Sequence, residues 1–264
     1  MKLTIIGAGN MGGAIAKGLS KGQLIQAKDI TCTARTLQTL EALRKFNGDF
    51  QLLQDNRAAV KEADVVVLAV KPWKMEAVIS EIRPSLALNR QLIISIAAGI
   101  DFKTLEQLLT DNSGSPVSNL FRVIPNTAIE VKSSMTFVAA HQASAASTET
   151  VLNLFNELGK TLLVEESAMT ACTALASCGI AFALRYIRAS MEGGIELGIP
   201  ASQARDIVSQ TVIGAAQLVL EKQSHPETEI DKVTTPGGIT IKGLNEMEHA
   251  GFTSAVIRGL KACN

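Results

Sequence analysis

Leu3-Thr4-Ile5-Ile6-Gly7-Ala8-Gly9-Asn10-Met11-Gly12 decides the fold. A short apolar run, Leu3 to Ile6, ends in a glycine, and a helix-compatible segment, Met11 to Leu19, follows at once. Gly7, Gly9 and Gly12 match G-x-G-x-x-G. The match gains its meaning from its place, between a strand and a helix at the head of an alternating region. There the first glycine permits the tight turn, the second lets the backbone approach a pyrophosphate, and the third lets helix and strand pack closely. Free N–H groups at the helix start then face the phosphates. Gly7, Ala8, Gly9, Asn10, Met11 and Gly12 are therefore candidate dinucleotide contacts, the plain alternative being an ordinary glycine-rich turn.

Outward from this point, strand-like runs cover Asp29 to Ala34, Asp64 to Val70, Gln91 to Ala97, Leu120 to Ile124 and Met135 to Ala140. Thr36 to Phe46 reads as a helix, and Asp101 is placed to cap another. The β-branched run Asp64 to Val70 suits a strand covered on both faces. Strands alternating with helices predict a parallel sheet. From about Leu163 the strands stop. Ala168 to Met191 reads as one long Ala-rich helix. After Gly198-Ile199-Pro200 comes another, with Ala204, Ile207, Val208, Thr211, Val212, Ala215, Leu218 and Val219 on one apolar face. The expected plan is α/β: residues 1–162 form a Rossmann-type dinucleotide-binding domain, and residues 163–264 an all-α domain whose small-residue faces suit a dimer interface.

Composition narrows the function classes. Lys+Arg and Asp+Glu are both 25, so no net charge draws the chain to nucleic acid or to an anionic membrane. Ala168 to Leu184 carries no charge, but its Ala, Thr, Ser and Cys are weakly apolar, and Arg185 and Arg188 follow; it reads as a helix buried on all sides by protein. The first residues lack the pattern of a signal peptide, and a cytoplasmic protein is expected. Cys32, Cys172, Cys178 and Cys263 form no C-x-x-C pair and read as buried, reduced thiols, the alternative being a metal or disulfide framework. His141, His225 and His249 make no constellation with them, so no metal site is expected.

The second strand ends in Thr33-Ala34-Arg35-Thr36, without the acid that would bond a ribose 2′-hydroxyl. A guanidinium can hold a 2′-phosphate in forked geometry. Ala34 and Arg35 thus favour NADPH, with NADH as the less efficient alternative; a solvated Arg35 is the bland reading. Ala69-Val70-Lys71-Pro72 and Ala97-Ala98 end the next strands at the sheet's carboxyl edge, where ligands of such folds bind.

Thr234-Thr235-Pro236-Gly237-Gly238-Ile239-Thr240 precedes a helix-compatible run. Such a loop can offer N–H groups and hydroxyls to a small carboxylate, or simply cap a helix. With its flanks it reads DKVTTPGGITIKGL (Asp231 to Leu244), followed by Glu246-Met247-Glu248. This segment resembles the signature of pyrroline-5-carboxylate reductases. The IGAGNMG start, the Ala69 to Pro72 strand end, Ile94 to Gly99, Pro125-Asn126-Thr127 and Glu192-Gly193-Gly194 match that family in order across nearly the whole chain.

The resemblance implies NADPH-dependent reduction of 1-pyrroline-5-carboxylate to L-proline, the last step of proline biosynthesis. It implies that Thr240 contacts the imine nitrogen. Thr235, Gly237, Gly238, Ile239 and Glu166 are expected to bind substrate, and Asn56 to touch the cofactor. It also implies an intertwined homodimer assembled into a larger homo-oligomer, with substrate between the α domain of one subunit and a dinucleotide domain, often the partner's. Two residues depart from the family pattern: Ile180 stands where a proline is usual, and Phe182 where a tyrosine is. These changes imply a straighter helix and a less polar pocket floor. Glu192 keeps the acid usual before the Gly-Gly pair, and Ile239 replaces a common Thr or Ala. A β-hydroxyacid dehydrogenase would need a lysine four residues after Gly179, where Ala183 stands, and no lysine lies between Lys160 and Lys222. A non-catalytic NADP-binding regulatory protein is the other alternative.

Overall fold

A computed structural model of the protein describes residues 1–110 and 117–263. The chain divides into two compact units, Met1–Ser177 and Cys178–Asn264. The expected division at 162/163 follows the end of the strands. The compact unit runs further because Met169 is buried in the core that holds Ile6, Ile79 and Leu105, with Cys172 and Ala176 packed against it.

The first unit is built on an eight-stranded sheet in the order β3-β2-β1-β4-β5-β6-β7-β8. The strands are β1 (Leu3–Ile6), β2 (Ile30–Thr33), β3 (Gln51–Leu53), β4 (Val65–Leu68), β5 (Leu92–Ser95), β6 (Leu120–Ile124), β7 (Ser134–His141) and β8 (Gly159–Leu163). The helices are α1 (Asn10–Leu19), α2 (Leu37–Phe46), α3 (Asn56–Val60), α4 (Met75–Ile82), α5 (Phe102–Leu109), α6 (Ala145–Asn156) and α7 (Met169–Cys172). In β4, Val65 and Val67 face a core with Ile5, Ile15, Leu19 and Phe121. Val66 and Leu68 face another with Ile6, Ile79, Ile82 and Leu105. This two-residue alternation between two dry faces explains the unbroken apolar run.

The sheet is not wholly parallel, which corrects the expectation. β6 and β7 pair antiparallel, with Leu120 opposite His141 and Ile124 opposite Phe137. Only residues 125–133 join them, too few for the crossover that a parallel partner needs. β7 and β8 are parallel to each other. Two strands, β3 and β8, were not foreseen. Both lie at sheet edges with much of their surface exposed, so neither carries a continuous apolar run.

The expected uniform helix over Ala168 to Met191 is interrupted. After α7 the backbone widens into a π-helical turn, Thr173–Cys178, before α8 (Gly179–Glu196). The second unit continues with α9 (Ala201–Lys222), α10 (Pro226–Asp231), α11 (Ile239–His249) and α12 (Phe252–Lys261). It holds no strand among the described residues. α8 and α9 come close where both side chains are small: a β-carbon on Gly194 would lie 3.4 Å from that of Ala204.

The long apolar helix is not buried on all sides, as its reading required. One window of Glu166–Glu196 is apolar and long enough to cross a membrane, yet only 17% of it is buried in this chain. Ile207 and Leu218 on the apolar face of α9 are likewise exposed. The single chain does not supply a cover for these apolar faces.

Candidate active site

Five strand ends carry the predicted cofactor residues. β1 runs into Gly7 to Gly12, β2 into Ala34 and Arg35, β3 into Asn56, β4 into Ala69 to Pro72, and β5 into Ala97 and Ala98. β1 is flanked by β2 and β4, so the chain reverses direction across the sheet there. In open α/β sheets that reversal leaves a crevice outside the carboxyl ends of the strands.

The glycine loop has the shape its sequence implies. Gly7 takes φ +93°, and a β-carbon on it would sit 2.9 Å from the Ala69 carbonyl oxygen and 2.8 Å from a Val70 methyl. Its N–H and that of Ala8 both donate to the Thr33 carbonyl, at 3.1 and 2.7 Å, tying the loop to the end of β2. Gly12 packs α1 onto β1, where an added β-carbon would come within 2.5 Å of the Gly7 carbonyl oxygen. Gly9 is the opposite case: nothing lies within 4 Å of where its β-carbon would be. It is also the N-cap of α1 and offers no side chain to the first N–H groups. Two glycines are thus required by close packing, and the third by space kept open beside uncapped donors. These features fit a dinucleotide, with its pyrophosphate beside Gly9.

Arg35 is exposed and makes no ion pair among the described residues, which leaves its guanidinium free for an anion. Asn56 begins α3, and its amide donates to Glu81 Oε2 at 3.1 Å. Lys71 is exposed and caps the short turn Pro72–Lys74. Ala97 is buried, and Ala98 and Gly99 (φ +78°) are exposed at the end of β5.

Glu166 joins this edge of the first unit. Its Oε1 accepts from the Phe102 N–H at 2.7 Å, just beyond Gly99, and from Arg122 Nη1 at 2.7 Å. The pair is asymmetric: the Arg122 side chain is 10% exposed and that of Glu166 35%, so one carboxylate oxygen neutralises a nearly dry guanidinium. Arg122 Nε is buried without a partner. Asp101 caps α5 through Thr104, which holds its carboxyl below the usual range, with the Arg122 charge adding a smaller pull. Sequence reasoning overlooked Arg122, although a charge inside the apolar run of β6 was the available signal.

Asn126 is a second such residue. Its Oδ1 accepts from Ala128 N (3.0 Å) while its Nδ2 donates to Ala176 O (3.5 Å), and Ser177 Oγ donates to Pro125 O (3.0 Å). These bonds hold the π turn, whose wider winding leaves carbonyls in need of donors. The Pro125-Asn126-Thr127 motif gives no hint of this, because the partner is fifty residues away.

In the second unit, Thr235 to Gly238 forms a turn closed by Gly238 N–H to Thr235 O at 2.9 Å. Pro236 precedes Gly237 at φ +72°, the pattern of a type II turn. Gly238 then caps α11 without a side chain. Its own N–H is used in the turn, so the donors available to a carboxylate are those of Gly237, Ile239, Thr240 and Ile241. The hydroxyls of Thr235 and Thr240 add to them. A β-carbon on Gly238 would strike Thr235 Oγ1 at 2.7 Å. Ile239 is 87% exposed, and Thr240 is exposed beside it. Phe182, one of the departures, packs its ring over Gly259 of α12, 3.8 Å from where a β-carbon would be. Glu192 pairs with Arg188 at 2.9 Å on the surface of α8.

Comparison with known proteins decides the family. Residues 166–264 match the model for pyrroline-5-carboxylate reductase dimerisation, and residues 2–99 match that of NADP oxidoreductase, coenzyme F420-dependent. Pyrroline-5-carboxylate reductase 2 of Dictyostelium discoideum is 36% identical over 271 residues, covering 98% of this chain and 89% of its own length. The chain belongs to the pyrroline-5-carboxylate reductase family. Pyrroline-5-carboxylate reductase 1 of the same organism is 39% identical over 98% of this chain, which spans only 48% of that longer relative. The crystal structure of Plasmodium falciparum pyrroline carboxylate reductase with NADP bound superposes with a TM-score of 0.89 at 25% identity, covering 100% of this chain and 95% of that one. A nicotinamide dinucleotide cofactor and a self-associating helical unit come with the family. The uncovered faces of α8 and α9 belong to that dimerisation segment.

Proposed function

We propose that this protein reduces 1-pyrroline-5-carboxylate to L-proline with NADPH. The observation that carries the reading is the turn Thr235–Gly238 opening α11, with unused N–H groups and two hydroxyls on one exposed helix start. It lies in a chain 36% identical to a pyrroline-5-carboxylate reductase over nearly its whole length. The helix start favours a carboxylate through its dipole and free donors. Thr235 and the N–H groups of Gly237 and Ile239 bind it. Thr240, one turn position further, bonds the ring nitrogen and fixes which face of the imine is presented. The imine is basic enough to arrive protonated, so no strong acid is needed beside Thr240.

NADPH, when bound, supplies the hydride, and the chain supplies position and electrostatics. Gly7 to Gly12 hold its pyrophosphate, Arg35 its 2′-phosphate, and Ala69 to Pro72 with Ala97 and Ala98 the ribose and nicotinamide end. Asn56 adds a contact at the end of β3. Glu166 is assigned to substrate binding through its free oxygen, while its other oxygen holds Arg122. Arg35 favours NADPH over NADH. The dimer is the unit of assembly, and larger rings of dimers complete the proposal. Four free thiols suit a reducing compartment, and we assign the protein to the cytoplasm.

The test follows NADPH absorbance with DL-pyrroline-5-carboxylate, with NADH and a six-membered cyclic imine in parallel. Rapid NADPH oxidation with the five-membered ring is expected. Thr240→Ala should lower turnover and leave NADPH affinity unchanged. Tight NADPH binding with no oxidation of any imine would instead favour a regulatory protein.

A further inference from the structure

The second unit carries a pair of groups for which the proposed reaction has no use. Tyr186 of α8 and Phe252 of α12 meet edge to face, with ring centroids 6.4 Å apart. One turn earlier on α8, the Phe182 ring lies against Gly259 of α12. Moving down α8 therefore moves up α12, so the two helices run antiparallel along this seam. Residues four apart share a helix face. One more turn down α8 reaches Cys178, and the same step carried just past the end of α12 reaches Cys263.

Both backbones keep a helical path to that point. Cys178 has φ −84° and ψ −41°. Ala262 donates to Arg258 O, and Cys263 donates to Leu260 O at 3.1 Å. The neighbouring Cys263 thiol is the largest influence holding the Cys178 thiol above its ordinary pKa, with desolvation adding to it. Neither cysteine is fully buried, whereas Cys32 lies deep in the sheet.

We propose that Cys178 and Cys263 form a redox-active pair that closes into an intrachain disulfide under a small-molecule disulfide oxidant such as oxidised glutathione. One protein thiolate attacks a sulfur of the oxidant, giving a mixed disulfide and releasing one small thiol. The second protein thiolate attacks the protein sulfur of that mixed disulfide, forming the Cys178–Cys263 bond and releasing the second small thiol. The protein sulfurs are oxidised, the small disulfide is reduced to two thiols, and the two protons leave the protein with them. The bond joins the residue that opens α8 to the one that follows α12, and so encloses nearly the whole helical unit in a single loop. A cross-link over so long a loop restricts the unfolded chain more than a short one does. This inference does not depend on the reaction proposed above.

The full-length protein, in its native assembly, is incubated with oxidised glutathione, alkylated, digested without reductant and mapped by mass. The expected product is a linked pair of peptides containing Cys178 and Cys263, at single-chain mobility on a non-reducing gel and cleaved by dithiothreitol. Cys263→Ser should instead retain glutathione on Cys178. The melting midpoint of the oxidised protein should rise by about 5 °C or more. Separate glutathione adducts on both cysteines, a link between two chains, or a link to Cys172 would each overturn the pairing. A fully linked protein with an unchanged midpoint would overturn the stapling of the unit.

Discussion

Replacing Gly9 by alanine separates ligand space from packing space in the glycine loop. Its backbone, φ −72° and ψ −152°, is open to any residue, and nothing lies within 4 Å of the new methyl. The folded protein should therefore lose no more than about 0.5 kcal/mol. The methyl stands beside the uncapped N–H groups of α1, where the proposed site receives a pyrophosphate. Displacing it lengthens charge-assisted hydrogen bonds worth about 1.5–3 kcal/mol, which is roughly a 10- to 150-fold rise in Kd. Gly12→Ala makes the contrast. Its methyl would meet the Gly7 carbonyl at 2.5 Å and the Ala69 methyl at 3.0 Å, so α1 must lift off β1. Overpacking of this kind costs about 1–3 kcal/mol, or about 2–4 °C of melting midpoint for each kcal/mol in a chain of this size. Fluorescence titration with NADPH and thermal denaturation, run on both variants, give the test. Gly9→Ala should keep its midpoint and lose affinity, whereas Gly12→Ala should lose both. An affinity within twofold of the parent for Gly9→Ala would refute the idea that the open space is the cofactor's.

Three further perturbations address other parts of the molecule. Arg35→Ala should weaken NADPH binding by about tenfold or more and leave NADH nearly unchanged, since only one of them has a 2′-phosphate; equal losses would remove Arg35 from that role. Glu166→Ala should destabilise the first unit by about 1–3 kcal/mol in urea denaturation, because it strands a guanidinium that is 10% exposed; an unchanged urea midpoint would mean that solvent already satisfies Arg122. Burial pushes the Cys32 thiol up to about 12 from an ordinary value of 9.0. A raised folded pKa means that its stabilising contribution is complete below pH 9 and is lost between pH 9 and 12, at up to about 1.4 kcal/mol per pH unit. Cys32→Ala should flatten that alkaline slope, and an identical slope in the variant would assign it to other groups.

What the sequence disclosed depended on how locally each feature is determined. The glycine loop was legible because its constraints come from neighbours in the chain and from the strand beside it. β4 was legible because two dry faces demand apolar residues at every position. β3 and β8 were hidden because an edge strand has one partner and a wet face, so its composition resembles a loop. The strand at β7 was legible, but its antiparallel direction was not, because direction depends on the length of a connection and not on the residues of the strand. The π turn was hidden for a stronger reason. Its outside partners are Asn126, which donates to Ala176 O, and Pro125, whose carbonyl accepts from Ser177, and both lie some fifty residues away in the chain.

The helical unit poses a different problem. Its apolar spacing on α9 reads correctly as a helix face, but the spacing is silent about what covers the face. Ile207 and Leu218 remain exposed, and the Glu166–Glu196 stretch is largely uncovered in one chain. A large uncovered apolar face is costly in water, so the helices must be read as half of a core. The same composition on an isolated helix would suit a bilayer. What argues for protein instead is the small-residue contact of Gly194 with Ala204 and the match of this segment to a dimerisation model. For that reason a substitution at Ile207 should be judged by the assembly it disrupts, not by the fold of the single chain.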